Sequence, residues 1–231
     1  MRSEGRGAVL SRSDEEPRDQ QGMTTVWTKL AGGPAWGRLS AGMVAGCVAS
    51  GLLAIWVGLA GTPARAGDPA VIFMAQVGKE LMAAARTRSP GAMASVVERH
   101  ADVTQIGLFS LGEYRNRLPQ EERPSYFSGM ARFIGRYAAN ESPKYPLARV
   151  EWANQSVRSG SGVMVDSRIV LADGSAYDVR WALTRHGTGF KVRDAMVLGF
   201  WMTPFLKKLF EDYIDQNGGN LHALTAALNR S

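Results

Sequence analysis

Residues that could perform acid–base or nucleophilic chemistry are few and scattered in this chain. Its three histidines, His100, His186 and His222, are far apart in sequence, and it has one cysteine among 231 residues. General acid–base catalysis needs a titratable group held within hydrogen-bonding reach of the substrate, and a transition-metal site needs several ligands together. We therefore predict no catalytic residues, no metal site and no cofactor, and we do not expect an enzyme.

The remaining chemical motifs favour structural roles. Ser159-Gly-Ser-Gly162 lacks the spacing of a Gly-x-Ser-x-Gly nucleophile elbow and indicates a hairpin loop. Gly187 and Gly189 lie between predicted strands, which favours a turn over a phosphate-binding loop. Asp194 precedes an apolar run, so we interpret it as a buried, hydrogen-bonded structural acid, with a catalytic role as the alternative.

Soft apolar side chains are a more prominent feature than polar ones. The chain contains ten methionines and eight phenylalanines, and methionine adapts to irregular spaces and variable ligands. Ligand pockets are mostly apolar and concave, and helices laid across a sheet often leave such a space. An apolar binding site is therefore the favoured hypothesis, and an ordinary hydrophobic core is the alternative.

The composition excludes several classes of protein. Hydrophobic residues make up 45% and charged residues 21% of the chain, which excludes intrinsic disorder and a disulfide-stapled miniprotein. The formal net charge is +6, yet there is no basic block of the kind that binds nucleic acid. We therefore expect no nucleic-acid partner.

The first 66 residues have the pattern of an export signal. No residue between Arg38 and Arg65 is charged, and this run is apolar at its centre. Basic residues precede it and an Ala-x-Ala site at 64–66 follows it, which is the order of a secretory signal. We expect cleavage after Ala66, so that the rest of the chain is periplasmic.

Two alternatives to cleavage remain open. The uncharged run is long enough to span a bilayer as an uncleaved anchor, and the basic flank would still leave the following domain outside the cytoplasm. Val44–Cys47 resembles a lipid-attachment box, although the apolar run continues well beyond it. Met23 is favoured over Met1 as the start, because a polar preface of this kind is atypical of signals.

The hydrophobic pattern of residues 67–231 predicts one α+β domain. Apolar residues recur at helical spacing from Asp68 to about Tyr137, and the period changes to two after Pro146. Asp173-Gly174 predicts a tight hairpin, and the segment from Thr203 onwards is helical again. Consecutive hairpins predict a curved antiparallel meander of four strands or slightly more, covered on one face by helices and enclosing an apolar cavity.

The order and spacing of two blocks match one family. The first block comprises Leu111–Arg115, Pro119–Arg123, Phe127 and Tyr137. The second block comprises Phe190–Asp194, Val197–Gly199 and the helices over 205–219 and 221–228. With these blocks, the chain from Asp68 to Leu228 resembles the toluene-tolerance family of MlaC-type periplasmic phospholipid-binding proteins.

The resemblance implies a phospholipid shuttle that maintains outer-membrane lipid asymmetry. Its partners would be a phospholipid ligand, an inner-membrane ABC transporter complex and an outer-membrane lipoprotein complex. Leaving a chain of about 16 carbons in water costs on the order of 12 kcal/mol, so a carrier must enclose the tails. A hopanoid-associated or other apolar-ligand carrier of the same family, an enzyme on a cone-shaped α+β scaffold and a structural adaptor are the alternatives.

The expected tail cavity lies between the helices and the sheet. Its candidate lining residues are Phe109, Tyr114, Phe127, Met130, Ile134, Val163, Val165, Val179, Trp181, Met196, Leu198, Met202 and Phe205. Three arginines on the helices, Arg115, Arg132 and Arg136, are candidates for contacts with the lipid headgroup or a partner, and solvated helix faces are the alternative for them.

Overall fold

The computed structural model describes residues 67–230, so the predicted export signal lies outside the described residues. The helices are α1 (Pro69–Thr87), α2 (Pro90–His100), α3 (Val103–Ser110), α4 (Arg123–Glu141), α5 (Met202–Gln216) and α6 (Leu221–Asn229), with short 3₁₀ segments at Gly112–Arg117, Gln120–Glu122 and Ser142–Lys144. Within this range, no helix has both the length and the apolar character needed to cross a bilayer.

The helices begin where the sequence provides caps. Asp68 Oδ1 accepts a hydrogen bond from Ala70 N at 2.8 Å, and Ser89 Oγ accepts one from Ala92 N at 3.2 Å. Each of these caps precedes a proline in the first helical turn, where the missing N–H costs nothing. The sequence predicts these starts, because Asp68-Pro69 and Ser89-Pro90 each place a capping side chain before a proline.

The strands form one open antiparallel sheet, which confirms the predicted α+β fold and is larger than four strands. The strands are β1 (Leu147–Trp152), β2 (Val157–Ser159), β3 (Gly162–Leu171), β4 (Ala176–His186), β5 (Gly189–Val197) and β6 (Phe200–Trp201). Their order is β1-β3-β4-β5-β6, with β2 also paired to β3. The sheet is therefore built from consecutive hairpins.

The change to a period of two after Pro146 predicts a first strand over Leu147–Val157, but the structure interrupts this strand. β1 ends at Trp152 and β2 starts at Val157. Between them, the backbone N–H and the hydroxyl of Ser156 both donate to Asp68 Oδ2 at 2.8 Å. The break follows from this long-range contact, which fastens the start of α1 to the connection between β1 and β2.

Apolar side chains form three packed clusters. The first cluster packs α3, α4, α5 and α6 together around the fully buried side chains of Tyr126 and Met130 of α4 and Phe210 of α5. In the second, α1 packs on the sheet, and a smaller third cluster joins α1, α2 and α4. The α1–sheet cluster and the main helical cluster have no residue in common, and Leu81 of α1 packs against both the second and the third cluster.

Candidate ligand-binding site

Strand register divides the sheet into an inner face, which meets α1, and an outer face. Val163 and Val165 pack against Met74 of α1, and residues directly opposite in an antiparallel pair lie on the same face. Val165 pairs with Trp181, so Trp181 also lies on the inner face. The same register places every second residue of each strand on this face.

Beyond the part that α1 covers, the inner face continues as a group of side chains that we call the inner-face patch. It consists of Val150, Ile169, Tyr177, Val179 and Val197, which the register brings together across β1, β3, β4 and β5. None of them belongs to the three packed clusters found in residues 67–230. Val179 is buried at 3% exposure and the others are half-buried.

Two tryptophans separate the patch from the α1-covered half. The rings of Trp152 and Trp181 are 6.4 Å apart, and Trp181 Nε1 donates to Ser167 Oγ at 2.9 Å. A Cβ at Gly78 would lie 2.8 Å from Trp152 Cζ2, so α1 packs closely against this ring. Trp152 was not among the residues predicted from the sequence, although Gly78, an isolated glycine inside an apolar helical pattern, was an available signal of this close contact.

The start of α5 lies beside the patch. β6 pairs with β5 at Met196 and Val197, and α5 begins directly after β6. Asp194 Oδ1 accepts hydrogen bonds from Ala195 N at 2.8 Å and from Thr203 N at 2.9 Å. Asp194 is thus hydrogen-bonded, as the sequence suggested, but it is half-buried rather than buried. Its bonds hold the half-buried Met202 and Phe205 next to β5.

The structure distributes the thirteen candidate lining residues over several places. The helical cluster contains Tyr114, Phe127, Met130 and Ile134; the inner face contains Val163, Val165, Trp181 and Val179; and the start of α5 contains Met202 and Phe205. Three remain apart from these groups. Phe109 and Leu198 are 50% and 54% exposed, and Met196, paired with Arg180, lies on the outer face.

The block Leu111–Arg115, which contributes to the family resemblance, packs on α5. Gly112 has φ +52°, and a Cβ there would lie 1.7 Å from Glu211 Oε1. The backbone N–H of Glu113 donates to the same oxygen at 3.1 Å, and the Tyr114 hydroxyl donates to Asp215. This hydrogen bond raises the pKa of Tyr114. The block therefore fixes α5 in place.

The three candidate arginines do not converge on the patch. Arg115 is exposed in a 3₁₀ segment. Arg132 donates to the Ser128 hydroxyl within α4, and Arg136 donates to the Leu228 carbonyl oxygen of α6 at 3.0 Å. Burial, with a smaller contribution from Arg132, lowers the pKa of Arg136. Arg136 therefore joins α4 to α6.

The histidines have separate surroundings. His100 Nε2 lies 2.9 Å from Glu80 Oε2, to which Arg99 also donates at 2.8 Å, and the hydrogen bonds from Arg99 and then His100 lower the pKa of Glu80 to about 2. His222 lies 3.6 Å from Glu122, and His186 is exposed. Residues 67–230 contain no group of three or more side chains placed to hold a metal ion.

An open groove of about 540 Å³ is lined by charged residues of the outer face together with Trp152, Ser167, Val179 and Met196. Arg180 donates to both carboxylate oxygens of Asp166, at 2.7 and 2.9 Å, and Arg168 donates to Asp178 at 3.2 Å. The hydrogen bond from Arg180 lowers the pKa of Asp166. Paired charges of this kind suit a hydrated surface, so the charged part of the groove differs in chemistry from the apolar inner-face patch.

Comparisons with known proteins agree with this architecture. The structure is similar to the phospholipid-binding protein from Ralstonia solanacearum, solved in complex with a phospholipid, with a TM-score of 0.57 and 18% sequence identity, covering 69% of this chain and 94% of that one. At that identity the likeness shows the fold. No curated protein matches the chain. The family model described as MlaC protein matches residues 71–230, so the chain belongs to the MlaC family.

Proposed function

We propose that this protein binds a phospholipid, with its acyl tails between the inner-face patch and the helices, and carries it through the periplasm. The observation that supports this most is the patch itself. Its apolar side chains are left outside the packed clusters of residues 67–230, beside Met202 and Phe205 of α5. Half-buried apolar side chains gathered on one face of a sheet favour a site for an apolar ligand.

The proposed lining combines sequence-based candidates with residues that the structure adds. Val179, Trp181, Ile134, Met202 and Phe205 come from the sequence prediction. The structure adds Val150, Ile169, Tyr177 and Val197 on the inner face. Burial of each CH₂ group contributes about 0.8 kcal/mol, so tails covering these residues would supply most of the binding free energy.

The proposed site has the chemistry of a carrier rather than of an enzyme. The inner-face patch contains four aliphatic side chains and one tyrosine, with no carboxylate and no histidine. Acid–base catalysis would require such a group within hydrogen-bonding reach of the ligand. Asp194, the alternative catalytic candidate, is already engaged with the backbone of α5.

We further propose that the protein carries phospholipid between two membranes. The family membership and the basic–apolar–Ala-x-Ala pattern before residue 67 support a periplasmic carrier. Its partners would be an inner-membrane ABC transporter complex and an outer-membrane lipoprotein complex, in the maintenance of outer-membrane lipid asymmetry. A carrier for hopanoids or another apolar ligand is the alternative within the same family.

Transfer between vesicles tests the carrier function. Donor vesicles that contain a fluorescent phospholipid and a quencher are mixed with unlabelled acceptor vesicles, with and without the purified protein. We expect the protein to accelerate transfer in proportion to its concentration. Transfer at the uncatalysed rate would contradict a carrier, and acceleration for a hopanoid but not for phospholipid would favour the alternative.

A further inference from the structure

Tyr145 and Tyr177 lie in two segments of the chain that a backbone hydrogen bond joins at one end of the sheet. Tyr177 belongs to the patch and lies at the start of β4, just after the turn from β3. Tyr145 precedes β1, and the next residue, Pro146, accepts a hydrogen bond at its carbonyl oxygen from Ala172 N at 2.8 Å. This bond joins the segment that holds Tyr145 to the turn from which Tyr177 emerges.

Helix α4 ends at the same place. The Tyr145 N–H donates to the carbonyl oxygen of Ser142, in the 3₁₀ segment that follows α4, at 3.2 Å. Burial raises the pKa of both Tyr137 and Tyr177, and the nearby Tyr145 raises each further. The phenols of Tyr137 and Tyr177 therefore remain protonated hydrogen-bond donors at neutral pH.

The hydroxyl groups of Tyr145 and Tyr177 have no hydrogen-bond partner in residues 67–230. In contrast, the Tyr126 hydroxyl donates to the Gly107 carbonyl oxygen at 2.9 Å, and the Tyr114 hydroxyl donates to Asp215. Tyr145 is 38% exposed and Tyr177 is half-buried, so an external acceptor can reach them. Tyrosine hydroxyls usually find a partner when their rings are buried.

We propose that Tyr145 and Tyr177 bind the polar head of the ligand, by donating hydrogen bonds to an anionic oxygen attached to the acyl chains. This inference rests on the proposed function and locates the polar end of the same site. The acceptor is the phosphate of a phospholipid or the carboxylate of a fatty acid, which share the required chemistry. Hydrogen bonds to ionised acceptors are shorter and stronger than neutral ones.

The charged side chains near the two tyrosines are already paired, so the phenols are the candidates for binding the polar head. Lys144, the adjacent cation, is paired with Glu141 at 2.7 Å. Asp173, a nearby carboxylate, accepts hydrogen bonds from the backbone N–H and hydroxyl of Ser175, at 2.9 and 2.6 Å. Both charges are therefore already engaged locally, whereas the hydroxyl groups of Tyr145 and Tyr177 are available to bind a ligand.

Equilibrium binding with three ligands tests the proposal. The delipidated full chain and its Tyr145→Phe, Tyr177→Phe and double variants are titrated calorimetrically with dioctanoyl phosphatidylglycerol, decanoate and dioctanoylglycerol. Tyr213→Phe, which removes a phenol from the helical cluster, is the matched control. We expect the double variant to bind the phospholipid about tenfold more weakly, with dioctanoylglycerol unaffected and the control unchanged.

The three ligands separate the possible outcomes. Weakening for phosphatidylglycerol alone supports a phosphate acceptor, and weakening for decanoate as well supports a general anionic acceptor. Unchanged phospholipid affinity, or equal loss for dioctanoylglycerol, would overturn the tyrosine site while leaving the carrier function intact. A wild-type chain that binds none of the three ligands would instead overturn the proposed function itself.

Discussion

The carboxylate of Asp194 on β5 accepts a hydrogen bond from the backbone N–H of Thr203, in the first turn of α5, at 2.9 Å. This contact fastens the helical layer to the sheet at the place where Met202 and Phe205 approach the inner-face patch. An N-terminal cap supplied from another element fixes the direction of the helix as well as its start. We therefore expect the width of the proposed tail site to depend on this contact.

Replacement of Asp194 tests that dependence. We expect Asp194→Ala to lower the free energy of unfolding by about 1–2 kcal/mol, as for other lost caps, and also to weaken lipid binding. Asp102→Ala, which removes the cap of α3, is the control. Its loss of stability should be similar and its lipid binding normal. Denaturant unfolding and lipid titration measure the two effects, and equal lipid binding in both variants would contradict this role.

Valine-to-phenylalanine substitutions at two positions of the inner face test whether the region beside β5 contains unfilled space. Val165 is fully buried under α1, whereas Val197 lies in the patch. We expect Val165→Phe to cost about 1–3 kcal/mol of unfolding free energy because a packed core resists added volume. Val197→Phe should cost less and should displace bound lipid. If Val197→Phe destabilises the protein as strongly as Val165→Phe, the region beside β5 is packed solid.

The Glu80 carboxylate makes stability depend on pH in the acid range. Its pKa in the folded protein is about 2, below the ordinary value of 4.5, because Arg99 and His100 bind the charged form. A lowered pKa stabilises the folded protein above about pH 4.5, and this contribution disappears as the pH falls towards 2.

Thermal unfolding between pH 2 and 6 checks the contribution of Glu80. Relative to wild type, Glu80→Gln should lower the Tm near pH 6 and should flatten the dependence of Tm on pH below 4.5. The exposed Glu98 on α2 offers a control, since Glu98→Gln should leave the profile unchanged. A Glu80→Gln profile parallel to wild type would show that this carboxylate does not couple to folding.

Gly112 tests the structural role of the Leu111–Arg115 block. Gly112 and Gly174 both have positive φ, but a Cβ at Gly112 would meet Glu211 whereas one at Gly174 would meet nothing within 4 Å. We expect Gly174→Ala to cost about 1–2 kcal/mol from backbone strain alone. Gly112→Ala should cost more and should loosen α5. Equal losses in denaturant unfolding would mean that the contact with Glu211 contributes nothing.

Local signals in the sequence were sufficient to predict much of the fold. The caps Asp68 and Ser89, and the turn at Asp173-Gly174, act through neighbours in the chain, and the structure has helices and a hairpin at these places. The interruption after Trp152 was missed because Ser156 bonds to Asp68, which lies 88 residues away in sequence. Contacts of that separation leave no mark on local periodicity.

The candidate site was harder to predict than the fold because strand alternation does not reveal which face is covered. The pairing of β4 with β5 is irregular, and its register shifts between Ala182 and Leu183 of β4. The register beyond it places Val197 on the inner face and Met196 on the outer one, although Met196 was the sequence-based candidate. A shift of one residue exchanges the two faces of a strand, so only pairing partners settle the choice.

Native mass spectrometry of the full chain, purified from a Gram-negative host without added lipid, tests the central claim most directly. We predict a complex heavier than the polypeptide by the mass of one or more phospholipids, and a reduced lipid-bound fraction in Val197→Phe but not in Val165→Phe among the folded molecules. A polypeptide that is free of lipid in every preparation, and that stays so after incubation with phospholipid vesicles, would contradict the account.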